Sequence, residues 1–422
     1  MTHPSPPTPV DVLIIGAGPA GSLAAGILAQ RGHHVLCVER TYFPRFSIGE
    51  SLLPRCNDIL RQAGMLDAVV ARNYMVKPGA TFWWLGRSTR FRFAEALPGD
   101  EPSTFQVPRG DFDQTLATAA RRLGADVQFG REVTKIEMRD DGAVVEVADV
   151  EGGTSQRYLA RFLLDCSGYA HVLPRMLGLE KPPGMPTRTA TFTMVEGDRR
   201  PTGEERGDLW VCLDPSVGWL WIIPFSDGRT SVGLVTPADP PGTPTTSPRD
   251  RLWSFVRGSA DASRRLGDAV PVLETKTLTA WSSAATRLYG PGWAIAGNSG
   301  DFLDPVFSSG VALAFESSSR AAELIDATLA NKGVDWQRDY TEPMGRAVTV
   351  FRAFVESWYN GELREIFFAG AQRESIRRAI TSVLAGYVID RKSSLVRNPR
   401  GAIAALTQAL RSGAPLTDEM SA

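Results

Sequence analysis

With 422 residues and 43% hydrophobic composition, the chain can hold two or three ordinary domains and bury a sizeable core. Its 46 basic residues against 47 acidic ones give a net charge of −1, which excludes an overall field drawing it to nucleic acid or an anionic membrane and favours a small, roughly neutral substrate. Cys37, Cys56, Cys166 and Cys212 show no C-x-x-C spacing, and His3, His33, His34 and His171 show no paired ligand spacing, so no protein-bound metal is expected and redox chemistry calls for an organic cofactor.

Residues 1–9 are Pro-rich and polar and read as a loose tail. Val12-Leu13-Ile14-Ile15 reads as a buried strand running into a glycine turn, with a helix to about Arg31 and a second strand over 35–38 that ends at Glu39. This βαβ start predicts a doubly wound α/β sheet. The apolar stretch 12–28 is broken by Gly16, Gly18, Pro19 and Gly21 and follows no basic residue, so it resembles neither a signal peptide nor a membrane span; a reduced, cytoplasmic setting is expected. Over about 77–92 and 189–236, aromatic and β-branched residues alternate with polar ones, which predicts half-buried antiparallel strands of a substrate-side sheet. Stretches 201–208 and 238–249 read as its edge loops. From Gly310 onward the periodicity is helical, over 311–329, 340–368, 375–388 and 402–410.

Gly16-Ala17-Gly18-Pro19-Ala20-Gly21 follows a strand and opens a helix, where glycines permit a tight turn and let the backbone approach a pyrophosphate at the helix N-terminus. Glu39 lies 23 residues after Gly16, where an acid can hold a ribose hydroxyl, and Arg40 follows it. Together these predict dinucleotide binding. Arg109-x-x-Phe112-Asp113 and Leu163-Leu164-Asp165-Cys166-Ser167-Gly168 resemble motifs of the flavin monooxygenase superfamily related to para-hydroxybenzoate hydroxylase. Trp293-Ala294-Ile295-Ala296-Gly297-Asn298-Ser299-Gly300-Asp301-Phe302-Leu303-Asp304-Pro305 stands at the place of that superfamily's Gly-Asp motif, with Asn298 where Asp is usual. An amide still donates to and accepts from ribityl hydroxyls.

Three further stretches resemble the flavin-dependent halogenases, and the resemblance runs from about Asp11 to Asp390. In the first, Phe43-Pro44-Arg45-Phe46-x-Ile48-Gly49-Glu50-Ser51-Leu52-Leu53-Pro54, the Gly-Glu-Ser turn resembles the family's flavin-contacting loop. The second is Trp219-x-Trp221-x-Ile223-Pro224, which puts two indoles on one strand face. By itself it reads as a core strand; by the resemblance it keeps organic substrate off the flavin. The third is Asp304-Pro305-Val306-Phe307-Ser308-Ser309-Gly310-Val311, a helix start whose N–H groups and dipole suit a halide. Lys77 in Val76-Lys77-Pro78-Gly79 matches the family's active-site lysine; among six lysines and forty arginines an amine here reads as a chemical requirement or, equally, as an edge-strand charge.

The resemblance implies an α/β fold with α+β elements. A Rossmann-like FAD-binding domain is discontinuous over 10–75, 105–185 and 275–330, an antiparallel substrate-side sheet occupies 76–104 and 186–274, and residues 331–422 form a helical region. FAD would contact Gly16, Gly18, Ala20, Gly21, Glu39, Arg40, Ile48, Gly49, Glu50, Ser51, Arg109, Asp165, Gly168, Asn298, Asp301, Pro305, Gly310 and Val311. Halide would sit at Ser308, Ser309 and Gly310, and catalysis would fall to Lys77, Trp219 and Trp221. FADH2 and oxygen would turn chloride or bromide into hypohalous acid, which Lys77 holds by a hydrogen bond or takes up as a haloamine. Halogenases of free tryptophan carry a glutamate where this chain has Phe307; Phe-Ser-Ser-Gly resembles the phenol and pyrrole halogenases, several of which accept a ring tethered to a carrier protein. No second nucleotide-binding glycine motif is visible, so a separate flavin reductase is expected as partner. Two other readings stand beside this one: a flavin-dependent aromatic hydroxylase or reductase on the same scaffold that makes no halogen bond, and a non-catalytic flavin-binding or membrane-docking protein with basic Arg391, Lys392, Arg397 and Arg400.

Overall fold

The computed structural model describes residues 6–414 other than 154, 183, 215, 240–246, 280–282, 371–372 and 390–392. Strand Thr8–Ile15 is the centre of the first sheet, flanked on one side by Val35–Glu39 and Asp126–Phe129 and on the other by Gln156–Asp165 and Trp293–Ile295, all parallel. Val12, Leu13 and Ile14 are wholly buried, as a parallel strand covered on both faces requires. Helices Pro19–Gln30, Arg109–Arg122 and Ser309–Leu329 pack on one face. An antiparallel hairpin, Arg131–Arg139 and Gly142–Asp149, joins the edge of Gln156–Asp165. The sheet's central strand starts at Thr8, two residues inside the expected tail, because Thr8 and Pro9 pair with Tyr158 and Leu159.

The second sheet runs in the order Val270–Pro271, Arg188–Glu196, Thr230–Pro237, Gly218–Pro224, Leu209–Asp214, Gly79–Trp84 and Arg87–Arg92, antiparallel except for the parallel pair of Leu209–Asp214 with Gly79–Trp84. Its strands were expected to be half-buried; Arg87–Arg92 is, with Arg87 and Ser88 exposed and Phe91 buried, but the central strands Arg188–Glu196, Thr230–Pro237, Gly218–Pro224 and Leu209–Asp214 are covered on both faces. In Gly218–Pro224, Trp219, Trp221 and Ile223 enter the central core. Their neighbours Leu220 and Ile222 pack with Leu252, Phe255, Val256, Ala262 and Leu266, from helices Pro248–Gly258 and Ala260–Leu266. The first of these helices begins inside the stretch read as an edge loop. Its Ser247 cap accepts the Asp250 N–H and Pro248 stands at its first position, which are start signals the loop-like composition concealed. Residues 240–246 of that stretch lie outside the described residues.

Lys77 lies in neither large sheet. Its short strand Met75–Lys77 pairs with Thr104–Gln106, and an isolated bridge adds Ser51 on the far side of Gln106. The expected 340–368 helix splits into Glu342–Asn360 and Glu362–Phe367 at Gly361, whose φ of +94° ends the first. Helix Glu374–Leu384 stops before Gly386, at φ +97°, and Pro399–Ser412 closes the described chain. Among the described residues no helix is long and apolar enough to cross a membrane.

Candidate active site

A cavity of about 450 Å³ opens where the parallel strands of the first sheet end and faces the second sheet. Gly16 turns there with φ +93°, and a Cβ on it would sit 2.7 Å from the Cys166 carbonyl oxygen. On Gly21 a Cβ would stand 1.8 Å from the Gly16 oxygen, so helix Pro19–Gln30 approaches the turn only because Gly21 lacks one. Gly16, Gly18 and Ala20 line the cavity at that helix's N-terminus, a cradle suited to a pyrophosphate. Glu39 ends its strand beside them, its carboxylate accepting from the Ala17 N–H at 3.0 Å, the Thr41 N–H at 2.9 Å and the Thr41 hydroxyl at 2.6 Å. Arg40 is on the rim, largely exposed and 3.6 Å from Glu132.

Arg109 is buried and donates twice to Asp113, at 2.8 and 3.0 Å. It also reaches the carbonyls of Ile48, at 2.6 Å, and Gly49, at 3.3 Å. The arginine therefore fixes the Gly-Glu-Ser turn against the cavity, which Ile48, Gly49, Glu50 and Ser51 all line. Asp165 does not line it. Its carboxylate takes the N–H groups of Ser167 and Leu173, both at 2.7 Å, and so shapes the turn that presents Gly168. Asn298 lines the cavity, whereas Asp301 lies outside it, 3.5 Å from Arg352. Pro305, Ser308, Gly310 and Val311 line the wall at the start of helix Ser309–Leu329; Ser309 is buried behind them.

Trp219 and Trp221 form the opposite wall with Ile223, their ring centroids 6.0 Å apart. Both indole N–H groups are used: Trp219 donates to the Tyr359 hydroxyl at 2.9 Å and Trp221 to the Ser231 hydroxyl at 3.1 Å. Tyr359 in turn donates to Asp304 at 3.0 Å, and Ser231 hydrogen-bonds Glu50. Burial pushes Glu50 up to about 7 against the opposing pull of Ser231 and Arg109, and Asp304 up to about 6.

Lys77 is 1% exposed, which removes the edge-strand reading. Its Nζ donates to the Leu52 carbonyl at 2.7 Å and lies 5.3 Å from the Phe93 ring centre. Burial brings its amine down to about 7, with Cys56 and Asp208 pulling weakly the other way. It does not line the cavity but sits directly behind the Gly-Glu-Ser turn, since Leu52 follows the cavity residue Ser51. Sequence reasoning missed Tyr359, Ser231, Tyr169 and Arg45. Arg45, which lines the cavity 3.2 Å from Asp113 and stacks on Phe43, lies inside the Phe43 to Pro54 motif; Tyr359 and Ser231 had no signal beyond periodicity.

The glycine cradle, the strand-terminal acid and the amide at Asn298 fit FAD. The family described as FAD binding domain matches residues 9–347. A 1H-pyrrole-2-carbonyl-[peptidyl-carrier protein] brominase of Pseudoalteromonas luteoviolacea is 31% identical over 78% of this chain and 80% of its own. The chain belongs to this family as a flavin-dependent halogenase. Two solved structures agree with the halogenase's fold over 96% of its length and 99% of theirs. One is a flavoprotein/dehydrogenase from Cytophaga hutchinsonii, with TM-score 0.91 and 38% identity; the other is the flavin-dependent brominase Bmp2, with TM-score 0.82 and 26% identity. The halogenase uses FAD as FADH2, with halide and oxygen as co-substrates. Of the basic residues that suggested membrane docking, Arg400 is paired with Glu356 at 2.7 Å, Arg397 is exposed, and Arg391 and Lys392 lie outside the described residues.

Proposed function

We propose that this halogenase places its halogen through Lys77 on a phenolic or pyrrolic ring, including one tethered to a carrier protein. The observation that carries the reading is a buried lysine, brought down to about 7, immediately behind the cavity wall. A neutral amine is the form that attacks an electrophilic halogen, so the haloamine is favoured over simple hydrogen bonding. Reduced FAD with oxygen supplies the oxidising power that converts halide to hypohalous acid. The chain's own residues do the rest. The Gly16–Gly21 turn and Arg109 seat the cofactor, with Glu39 and Arg40 toward the ribose and Asn298 toward the ribityl chain. The backbone at Ser308, Ser309 and Gly310 holds the halide at a helix start. Trp219 and Trp221 wall the organic substrate away from the flavin. Residues 10–75, 105–185 and 275–330 act as the flavin half, 76–104 and 186–274 as the substrate-side sheet, and 331–422 as a helical cover, with the correction that Lys276–Thr279 pairs with Thr189 to Phe192 and so belongs to the second sheet.

Phe307 supports the substrate class. It is buried edge-on to Phe354 and Trp358, so no carboxylate stands there to deprotonate an indole and the ring must be electron-rich already. The brominase relative is named for a pyrrole on a peptidyl carrier protein, which supports tethering. A separate flavin reductase in the cytoplasm completes the system. The four cysteines are unbridged and buried, in keeping with a reducing compartment. The test is product mass spectrometry on free and carrier-bound phenols and pyrroles, with a flavin reductase and chloride or bromide. Halide-dependent mass shifts on these rings are expected; oxygen insertion without halogen, or halogenation of tryptophan alone, would overturn the reading.

A further inference from the structure

Two buried polar atoms beside the cavity wall and the Lys77 strand have no partner among the described residues: the hydroxyl oxygen of Ser51 and the carboxamide oxygen of Gln106. Such orphans cost stability, so they call for an explanation. The backbone puts them side by side. Ser51 and Gln106 face each other across an antiparallel bridge, flanked by the Leu52 N–H to Phe105 bond at 3.1 Å and the Val107 N–H to Glu50 bond at 2.7 Å. That is a non-hydrogen-bonded pair, in which Cα atoms stand about 4.5 Å apart and side chains share one face. Lys77 joins the same face, because it pairs with Thr104, two residues before Gln106 on the same strand. The Gln106 amide nitrogen is held by the Gly207 carbonyl at 3.1 Å, which fixes the carboxamide and leaves its oxygen free. Ser51 lines the cavity, while Gln106 is wholly buried and Lys77 nearly so.

Resting on the Lys77 reading above, we infer that Ser51 and Gln106 form a hand-over site that binds hypohalous acid between the flavin cavity and Lys77. Hypohalous acid has one O–H donor and an acceptor oxygen. The Gln106 carboxamide oxygen accepts from the O–H and the Ser51 hydroxyl donates to the oxygen, so each orphan finds the partner it lacks. At Lys77 the neutral amine nitrogen then attacks the halogen. An N–halogen bond forms and the halogen–oxygen bond breaks, its electron pair leaving on oxygen as hydroxide. One amine proton converts that hydroxide to water, and no further oxidant is needed. Ser51 and Gln106 are positioning residues for this transfer.

The test uses the FADH2-loaded enzyme with oxygen and either chloride or bromide, without an aromatic substrate. Peptide mass spectrometry reads N-halogenated Lys77, and monochlorodimedone in the bulk traps hypohalous acid that escapes. Ser51→Ala and Gln106→Met are expected to lower the Lys77 label, per hypohalous acid formed, at least tenfold, with more reaching the trap. Ser51→Ala should also melt at or above the wild-type temperature, because it deletes a hydroxyl that is unpaired among the described residues. A lower melting temperature with lost label would make Ser51 a structural residue and overturn its part. Wild-type labelling in both variants would remove the hand-over site and leave the Lys77 reading standing. Hypohalous acid formed by the wild type with no halogen on Lys77 would remove both.

Discussion

Lys77 is the residue whose chemistry depends most on where the fold puts it. Lys77→Ala is expected to abolish halogenation while FAD binding, read by flavin absorbance, is kept, since the step proposed for the amine comes only after hypohalous acid exists. A loss of tenfold or less, about 1.4 kcal/mol of barrier, would be too small for a group that carries the electrophile. Lys77→Arg keeps charge and bulk but no readily neutralised amine, so retained activity there would favour hydrogen bonding over the haloamine. The same amine has a stability signature. Its value falls from an ordinary 10.5 to about 7 in the folded chain, so below pH 7 both states hold the proton and the full cost of burying the charge is present. Between those values only the unfolded chain holds it, and folded stability rises with pH. Lys77→Met removes this dependence. In urea unfolding the variant should gain on the wild type at about pH 6 and lose most of that advantage by about pH 9.5, a swing of a few kcal/mol at about 1.4 per unit. An advantage independent of pH would mean that the folded lysine titrates normally.

Strand Gly218–Pro224 does more than hold two indoles against the cavity. Through Tyr359 to Asp304 it reaches the loop that opens helix Ser309–Leu329, and through Ser231 to Glu50 it reaches the Gly-Glu-Ser turn. The alternating pattern that carries Trp219 and Trp221 inward thus ties together both walls of the site. Tyr359→Phe strands the Trp219 N–H and takes from Asp304 one of its two hydrogen bonds, leaving the Val306 N–H at 3.0 Å and Arg188 at 3.8 Å, and at about 1–3 kcal/mol for an unsatisfied buried group a loss of about 1–3 kcal/mol is expected in chemical unfolding. A loss under about 0.5 kcal/mol, within the range of ordinary surface changes, would show that the chain through Tyr359 is not formed. The glycine turn is tested by Gly21→Ala. With a Cβ 1.8 Å from the Gly16 oxygen, helix Pro19–Gln30 must shift; about 3 kcal/mol of stability and most FAD affinity should go together. Normal flavin retention by a folded variant would refute the cradle.

At the scale of the whole molecule, one glycine-rich dinucleotide turn is visible along the chain, so direct mixing with NADPH should bleach bound FAD slowly and an added reductase should be required. Rapid bleaching in stopped-flow mixing would show that no partner is needed. The segments that ring the cavity were legible in the sequence alone: Gly16 to Gly21, Gly49-Glu50-Ser51, Trp219-x-Trp221 and Pro305 to Val311 are short stretches whose residue types are dictated by local backbone geometry, and local geometry is written in contiguous residues. The sequence also determined the parallel sheet, because runs such as Val12 to Ile15 are apolar on both faces. It left open whether Lys77 is a surface charge or a buried amine, because burial of a short strand depends on segments elsewhere along the chain. Leu52 and Phe93 approach Lys77 from either side only after folding. The second sheet's outer face was misread for the same reason: its alternation is that of a half-exposed sheet until Pro248–Gly258 and Ala260–Leu266 cover it. Ser231, Tyr359 and Gln106 are ordinary polar residues in ordinary strands and helices. What singles them out is a partner gained, or conspicuously lacking, across 10 to 140 positions of sequence, and only the tertiary structure sets those distances.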